Sequence, residues 1–147
     1  MSRGLKLTVV GFLVVIAAAQ LIRPNRANPP TDASRTIHTQ LGTTNGAPAI
    51  LDRACGDCHS NNTVWPWYTQ VAPVSWAMAY AVKEGRRAVN FSDWTAYPAE
   101  RQRQLLVVSC QDVSRGKMPG SAWTWLHPEA RLSAQDIETI CVAARQT

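Results

Sequence analysis

The sequence has no long stretch of alternating apolar and polar residues, so nothing in it predicts a β-strand of useful length. Its four cysteines include one closely spaced pair, Cys55 and Cys58. A structural zinc site usually needs a second such pair, and a thioredoxin-like dithiol usually follows a strand; the sequence offers neither context. Acidic residues are missing from residues 1–26, where four basic residues lie, and the other eleven Lys and Arg nearly balance ten acids. The basic charge therefore belongs to the N-terminus and does not indicate nucleic-acid binding.

Cys55-Gly56-Asp57-Cys58-His59 has the C-x-x-C-H pattern by which haem is attached covalently. The thiols of Cys55 and Cys58 can form thioether bonds to the two haem vinyl groups, and two intervening residues suit one helical turn. The imidazole of His59 can then bind the iron from the proximal side. Zinc binding and thiol–disulfide chemistry are the alternatives for the cysteine pair.

Helices are predicted along the rest of the chain, so the expected fold class is all-α. Pro48 opens a short helix that carries Cys55 into the motif. Pro73 lies in the first turn of a helix that runs to Arg86, with Gly85 as a plausible stop. Further helices are expected from Pro98 to about Val113 and after Ser133, whose spacing to Asp136 resembles a capping box.

The N-terminal residues 1–26 are interpreted as a membrane anchor or a signal segment. Residues 5–22 are almost unbroken apolar sequence, and basic residues flank them. Ala17-Ala18-Ala19 offers a possible cleavage site, but the apolar character continues beyond it, which favours an uncleaved anchor. Residues 27–47 are rich in Pro, Thr and Asn and are expected to form a flexible linker. The haem-binding domain is then expected to span residues 48–147.

Aromatic residues follow the motif closely. Trp65, Trp67 and Tyr68 come directly after the expected haem ligand, and large apolar rings are natural walls for a porphyrin. An ordinary core or interface role is the alternative. We expect at least one of these side chains to pack on the haem.

Met118 is the best candidate for the second axial ligand. It lies in the loop Gly116-Lys117-Met118-Pro119-Gly120, whose irregular backbone can project a thioether inward. His127 is the alternative ligand, while Met78 suits core packing and His38 suits a solvated linker. An open sixth position is also compatible with the sequence.

Cys110 and Cys141 lie on two predicted helices. In an exported domain they can form a disulfide, but the sequence does not give their separation, and two buried free thiols are the alternative.

The ordered motifs of the chain resemble those of the bacterial haem-binding domain family of small cytochrome c-like proteins. The resemblance runs from about Ile50 to Ala143. It rests on the C-x-x-C-H motif, the WPWY sequence at 65–68, APVSW at 72–76, EGR at 84–86, NFSDW at 90–94, MP at 118–119 and HPEARLS at 127–133. It implies an exported, usually membrane-tethered monohaem protein with a cytochrome c-like helical fold, and it places Met118 on the family's Met-Pro motif.

The combined expectation is a cytochrome c-like domain around one covalent haem c, preceded by an N-terminal membrane helix. It would transfer single electrons to redox protein partners in the periplasm. We expect it to be anchored in the inner membrane, or soluble in the periplasm if the signal is cleaved. Six-coordinate iron would leave no site for a small-molecule substrate, so no enzyme activity is expected. The alternative is a haem-based redox or gas sensor, or an enzyme, with an open or displaceable sixth ligand.

Overall fold

The computed structural model describes residues 2–42 and 46–146, and all the regular elements in these ranges are helices. They contain α-helices, short 3₁₀-helices and no strand, which confirms the all-α prediction. The α-helices are α1 (Arg3–Ala19), α2 (His38–Leu41), α3 (Ala47–His59), α4 (Val74–Ala88), α5 (Ala99–Ser114), α6 (Ser121–Leu126) and α7 (Ala134–Gln146). The 3₁₀-helices are Ala33–Arg35, Trp67–Gln70, Phe91–Ala96 and Pro128–Ala130.

The N-terminal helix α1 is shorter than expected. It begins after Ser2, whose hydroxyl accepts a hydrogen bond from the Leu5 amide at 3.3 Å, and it buries no residue. Its 17 residues extend about 25 Å, whereas a hydrocarbon core is about 30 Å thick. Within residues 2–42 and 46–146, no helix combines the length and apolar character needed to cross a membrane. The membrane-spanning helix expected in residues 1–26 is therefore not found.

The segment predicted as a flexible linker differs from a free tether. Ile37 is fully buried in the core, and its amide donates to the carbonyl of Phe91 at 2.8 Å. Leu41 is also buried, and the side chain of Asn28 donates to the carbonyl of Thr63 at 2.8 Å. The segment is mostly polar in composition, but its two buried apolar residues, Ile37 and Leu41, anchor it to the core. Residues 43–45 of the predicted linker lie outside the described residues.

Helices α3, α5 and α7 enclose the core together with the Phe91–Ala96 segment. Trp94 is almost completely buried. Cys110 of α5 and Cys141 of α7 form a disulfide with a Cα–Cα distance of 4.9 Å. The structure thus shows a disulfide and not two free thiols. This bond joins α5 to α7.

The pairing of α3 and α4 depends on Gly85. A Cβ atom added at Gly85 would lie 2.4 Å from the carbonyl oxygen of Cys58, closer than such atoms can approach. Gly85 was predicted to end the helix, but α4 continues to Ala88. The glycine is needed for close approach between helices and not for a C-terminal cap.

Other predicted boundaries agree with the structure. Pro48 lies in the first turn of α3, and Pro98 immediately precedes α5. The capping box is formed: the Ser133 amide donates to the Asp136 carboxylate at 2.8 Å, and the Asp136 amide donates to the Ser133 hydroxyl at 3.1 Å. Helix α6 was not predicted, because its six residues are too few to show a helical period.

Candidate haem site

The C-x-x-C-H motif forms the last turn of α3. The helix ends at His59, and Ser60 is extended, so the chain leaves the helix directly after the histidine. Cys55 and Cys58 are both free and half-buried. Their helical spacing of three residues places both thiols on one side of the turn, as attachment to two vinyl groups requires.

The ring of His59 is oriented by a backbone carbonyl. Its Nδ1–H donates to the carbonyl of Val89 at 3.2 Å, which leaves a lone pair on Nε2 for a metal. Burial lowers the pKa of His59, against the raising effect of the Val89 and Gly85 carbonyls. The neutral imidazole that results is the form that binds iron. The ring also lies 5.8 Å from that of Phe91, which limits its movement.

Two adjoining cavities meet at this motif. Cys55, His59 and Met118 line both of them. The larger, of about 150 Å³, is otherwise mostly apolar and is lined by Leu51, Ala88, Val89, Phe91, Leu105, Val108, Ser109, Asp112 and Val113. The smaller, of about 70 Å³, adds Ala54, Asp57, Cys58, Pro119, Gly120 and Trp123. The structure therefore brings the predicted attachment and ligand residues to one apolar crevice.

The loop that carries Met118 is tied to the end of α5. Gly116 adopts a left-handed conformation with φ of 65°. The amides of Lys117 and Met118 both donate to the carbonyl of Asp112, at 2.9 and 3.4 Å. The Met118 side chain is 48% exposed while lining both cavities. This loop brings a thioether, a ligand suited to haem iron, to the crevice that contains His59.

The raised pKa values of the two thiols differ from those typical of a redox dithiol. Burial is the main cause that raises the pKa of Cys55 to about 12 and that of Cys58 to about 11. Reactive dithiols have lowered pKa values, because the thiolate is the nucleophile. For zinc, the described ranges contain no group of three or more His, Cys, Asp or Glu side chains placed to hold an ion.

His127, the alternative distal ligand, is engaged through both ring nitrogens. Nδ1 donates to the carboxylate of Glu129 at 2.8 Å, and Nε2 accepts a hydrogen bond from the hydroxyl of Tyr68. The ring also stacks on Trp123, with centroids 3.7 Å apart. His127 does not line either cavity. It has a structural role in holding Tyr68 and Trp123. The histidine and methionine considered less suited as ligands are also placed elsewhere: His38 pairs with Asp52, and Met78 lies on α4.

The three aromatic residues expected to contribute haem packing do not line either of the two cavities. Trp67 is 79% exposed, and Tyr68 bonds to His127. Trp65 lines a separate groove along α4. Their packing on haem stays a prediction, and their placement lends it no support.

Trp123 is the aromatic residue that lies at the crevice, and sequence reasoning missed it. It is four residues before His127, a spacing that brings two rings together on one helical face and could have indicated the stack. Phe91 and Val89 carried no such signal, because their contacts with His59 depend on how the segment after α4 folds back.

A helical domain whose C-x-x-C-H turn opens on an apolar crevice has the features of a haem-binding protein. The haem-binding domain family model matches residues 14–146, so the chain belongs to that family. Comparison with curated proteins and with solved structures gave no match. Membership confirms the family identified from the sequence motifs and supports haem as the cofactor.

Proposed function

We propose that the protein is a monohaem c-type cytochrome that transfers single electrons between redox protein partners. Cys55 and Cys58 would hold the haem covalently, His59 would bind the iron on the proximal side, and Met118 would bind it on the distal side. Haem supplies the one-electron chemistry when bound, and the chain supplies attachment, ligands and an apolar enclosure. With both axial positions filled by side chains, we propose no catalytic activity and no small-molecule substrate.

One observation carries this proposal: Cys55, His59 and Met118 line the same cavities. Met118 lies far along the sequence from Cys55 and His59, so only folding brings the methionine to the motif. The orientation of His59 through Nδ1 and the neutral state of its ring support the proximal role. Engagement of both nitrogens of His127 favours Met118 over His127 on the distal side.

We further propose that the domain functions in the periplasm. The Cys110–Cys141 disulfide supports this location, because disulfides persist in oxidising compartments. The exposed apolar side chains of residues 5–22 support a role for the N-terminal segment in export, either held at the inner membrane or cleaved. The mass of the mature protein and its distribution between membrane and soluble fractions distinguish these two outcomes.

The test is expression with the bacterial machinery for covalent haem attachment, followed by denaturing electrophoresis with haem staining. We expect a stained band, one haem per chain by mass, and a methionine–iron charge-transfer band in the oxidised spectrum. The Cys55→Ser and Cys58→Ser double variant should lose the stain, whereas the Cys110→Ser and Cys141→Ser double variant should retain it.

Each contrary outcome would contradict a different part of the proposed function. Absence of stain in the native protein would overturn covalent attachment. Covalent haem without the charge-transfer band would overturn ligation by Met118. Binding of carbon monoxide by the native reduced protein would favour the alternative of a gas sensor or an enzyme with a displaceable ligand.

A further inference from the structure

A third cavity, which we call the α4 groove, lies along α4 and shares no lining residue with the haem crevice. It has a volume of about 520 Å³. Its lining residues are Pro24, Asn25, Ala27, Pro29, Trp65, Trp76, Ala79, Tyr80, Val82, Lys83 and Arg86. Trp76, Tyr80 and Lys83 have the spacing of one helical face, so α4 presents two aromatic rings and a cation in a row.

The groove is positively charged and contains no acidic lining residue among those described. The guanidinium of Arg86 donates to three neutral oxygens: the Ser60 carbonyl at 2.7 Å, and the side chains of Asn28 and Thr63 at 2.8 Å. These bonds orient the guanidinium without neutralising it. Lys83 is exposed and adds a second positive charge. An anion placed here would meet two cations and no carboxylate of the lining.

The wall also contains a hydrogen-bond donor in need of an acceptor. The indole Nε1–H of Trp65 is buried and has no hydrogen-bond partner among the described residues. Buried donors are rarely left without an acceptor. The two cations and the absence of an acidic lining residue suit a ligand that is rich in acceptor oxygens, such as a phosphate ester.

The exposed apolar helix α1 is fastened beside this groove. The side chain of Gln20, directly after α1, bonds to both the amide and the carbonyl of Ala72, at 2.9 and 3.4 Å. The indole of Trp76 donates to the carbonyl of Ile22 at 2.8 Å. An apolar surface and a cationic aromatic groove are therefore adjacent. Together they match the two parts of a phospholipid, and aromatic residues are enriched at such interfaces.

We propose that the α4 groove binds the phosphate head group of an anionic phospholipid, with the apolar side chains of α1 contacting its acyl region. The domain would then lie on the membrane surface with α4 facing the lipid. The haem crevice, which shares no lining residue with the groove, would remain open to a protein partner.

Lysine labelling tests this proposal, because the chain has three lysines in distinct places, Lys6, Lys83 and Lys117. The full-length holoprotein is acetylated briefly in three arms: with phosphatidylcholine vesicles, with vesicles that also contain phosphatidylglycerol, and with inorganic phosphate. We expect phosphatidylglycerol alone to slow the modification of Lys83 several-fold. The rate at Lys117, beside the haem crevice, should not change.

A pair of variants tests the role of the charge. Lys83→Gln should weaken binding to phosphatidylglycerol vesicles about five-fold, the effect of one basic residue near an anionic surface. Arg87→Gln removes a charge from the same helix, but Arg87 is paired with Glu84 at 2.6 Å and lies outside the groove. This control should bind like the native protein.

Three outcomes would overturn the proposal. Equal protection of Lys83 by both vesicle types would show contact without a site for the anionic head group. Equal protection by inorganic phosphate would indicate a site for free anions. Equal losses in the two variants would indicate nonspecific attraction. None of these readouts depends on the iron ligands, so they are independent of the haem staining and spectra.

Discussion

The environment of each candidate ligand explains why one methionine and one histidine are suited to iron and others are not. His59 and Met118 line common cavities, whereas Met78 lies on α4 outside them and His127 uses both ring nitrogens within the protein. Met118 and Met78 are the same type of residue, and so are His59 and His127. The members of each pair differ in whether the side chain lines the two cavities and whether its donor atom already has another partner.

Replacing Met118 with Ala should lower the reduction potential and abolish the methionine–iron charge-transfer band. The soft thioether favours ferrous iron, so its loss favours the ferric state. The variant should also bind carbon monoxide when reduced. Redox titration and visible spectroscopy measure these effects.

Met78→Ala is the matched control for Met118→Ala, because it removes the same side chain from a position on α4 that lines neither cavity. It should leave the potential and the charge-transfer band unchanged. An unchanged potential in Met118→Ala, or equal changes in both variants, would contradict the assignment of Met118.

At the scale of elements, the position of the haem motif depends on how closely α3 and α4 approach. The carbonyl of Cys58 occupies the space that a side chain at Gly85 would need. His59 follows Cys58 and bonds to Val89, which follows α4. The pairing of these two helices therefore also sets the position of His59, the proposed proximal ligand.

Gly85→Ala should destabilise the protein, although alanine is the better helix former. The intrinsic gain is at most about 1 kcal/mol. A Cβ atom 2.4 Å from a backbone oxygen forces the helices apart, and such overpacking costs about 1–3 kcal/mol or more. Urea denaturation of the holoprotein measures the free energy of unfolding.

Gly56→Ala is the contrasting variant, because its added Cβ atom would lie 3.8 Å from the nearest atom, an ordinary contact. It should stabilise α3 by up to about 1 kcal/mol. If both glycine variants changed the free energy of unfolding in the same direction, the close approach of α3 and α4 would not explain the need for glycine at position 85.

Asp136→Asn should lower the stability at pH 7 by about 1 kcal/mol, since it weakens the capping box of α7. The Asp136 carboxylate also pairs with Arg53 of α3 at 3.1 Å. The hydrogen bond from the Ser133 amide is the main cause that lowers the pKa of Asp136, which burial partly opposes. A lowered pKa means that the ionised form stabilises the fold above the unfolded value of about 3.9, and that this stabilisation is lost as the pH falls below it.

The difference between native protein and Asp136→Asn should therefore shrink between pH 5 and pH 2, roughly the range in which the carboxylate becomes protonated. Urea denaturation across this range measures it. Glu138→Gln is the control on the same helix, because its exposed ion pair with Arg145 contributes little. A difference independent of pH would show that the charge of Asp136 has no part in the effect.

At the scale of the whole molecule, contacts between segments that are distant in sequence hold the fold together. The early segment reaches the core through Ile37, and the last helix is joined to α5 by the Cys110–Cys141 disulfide. The Met118 loop begins where α5 ends, so the disulfide secures the helix that precedes the proposed distal ligand.

Removing the disulfide by Cys110→Ser and Cys141→Ser should cost about 3–4 kcal/mol, as expected for a closed loop of this size. The two cysteines are 31 residues apart. Urea denaturation gives the value, and native protein treated with a thiol reductant should match the variant, since thioether-bound cysteines are not reduced. Identical unfolding midpoints before and after reduction would contradict a structural role for the disulfide.

The helical class, the haem motif, the capping box of α7 and the family follow from short-range spacing of residue types and can be identified without coordinates. Other features depend on how the helices pack. Gly85 serves close approach and not a helix end, Ile37 draws the predicted linker into the core, and Trp123, not Trp65 or Trp67, borders the crevice. These outcomes depend on which surfaces meet after the helices pack, and no local pattern in the chain carries that information.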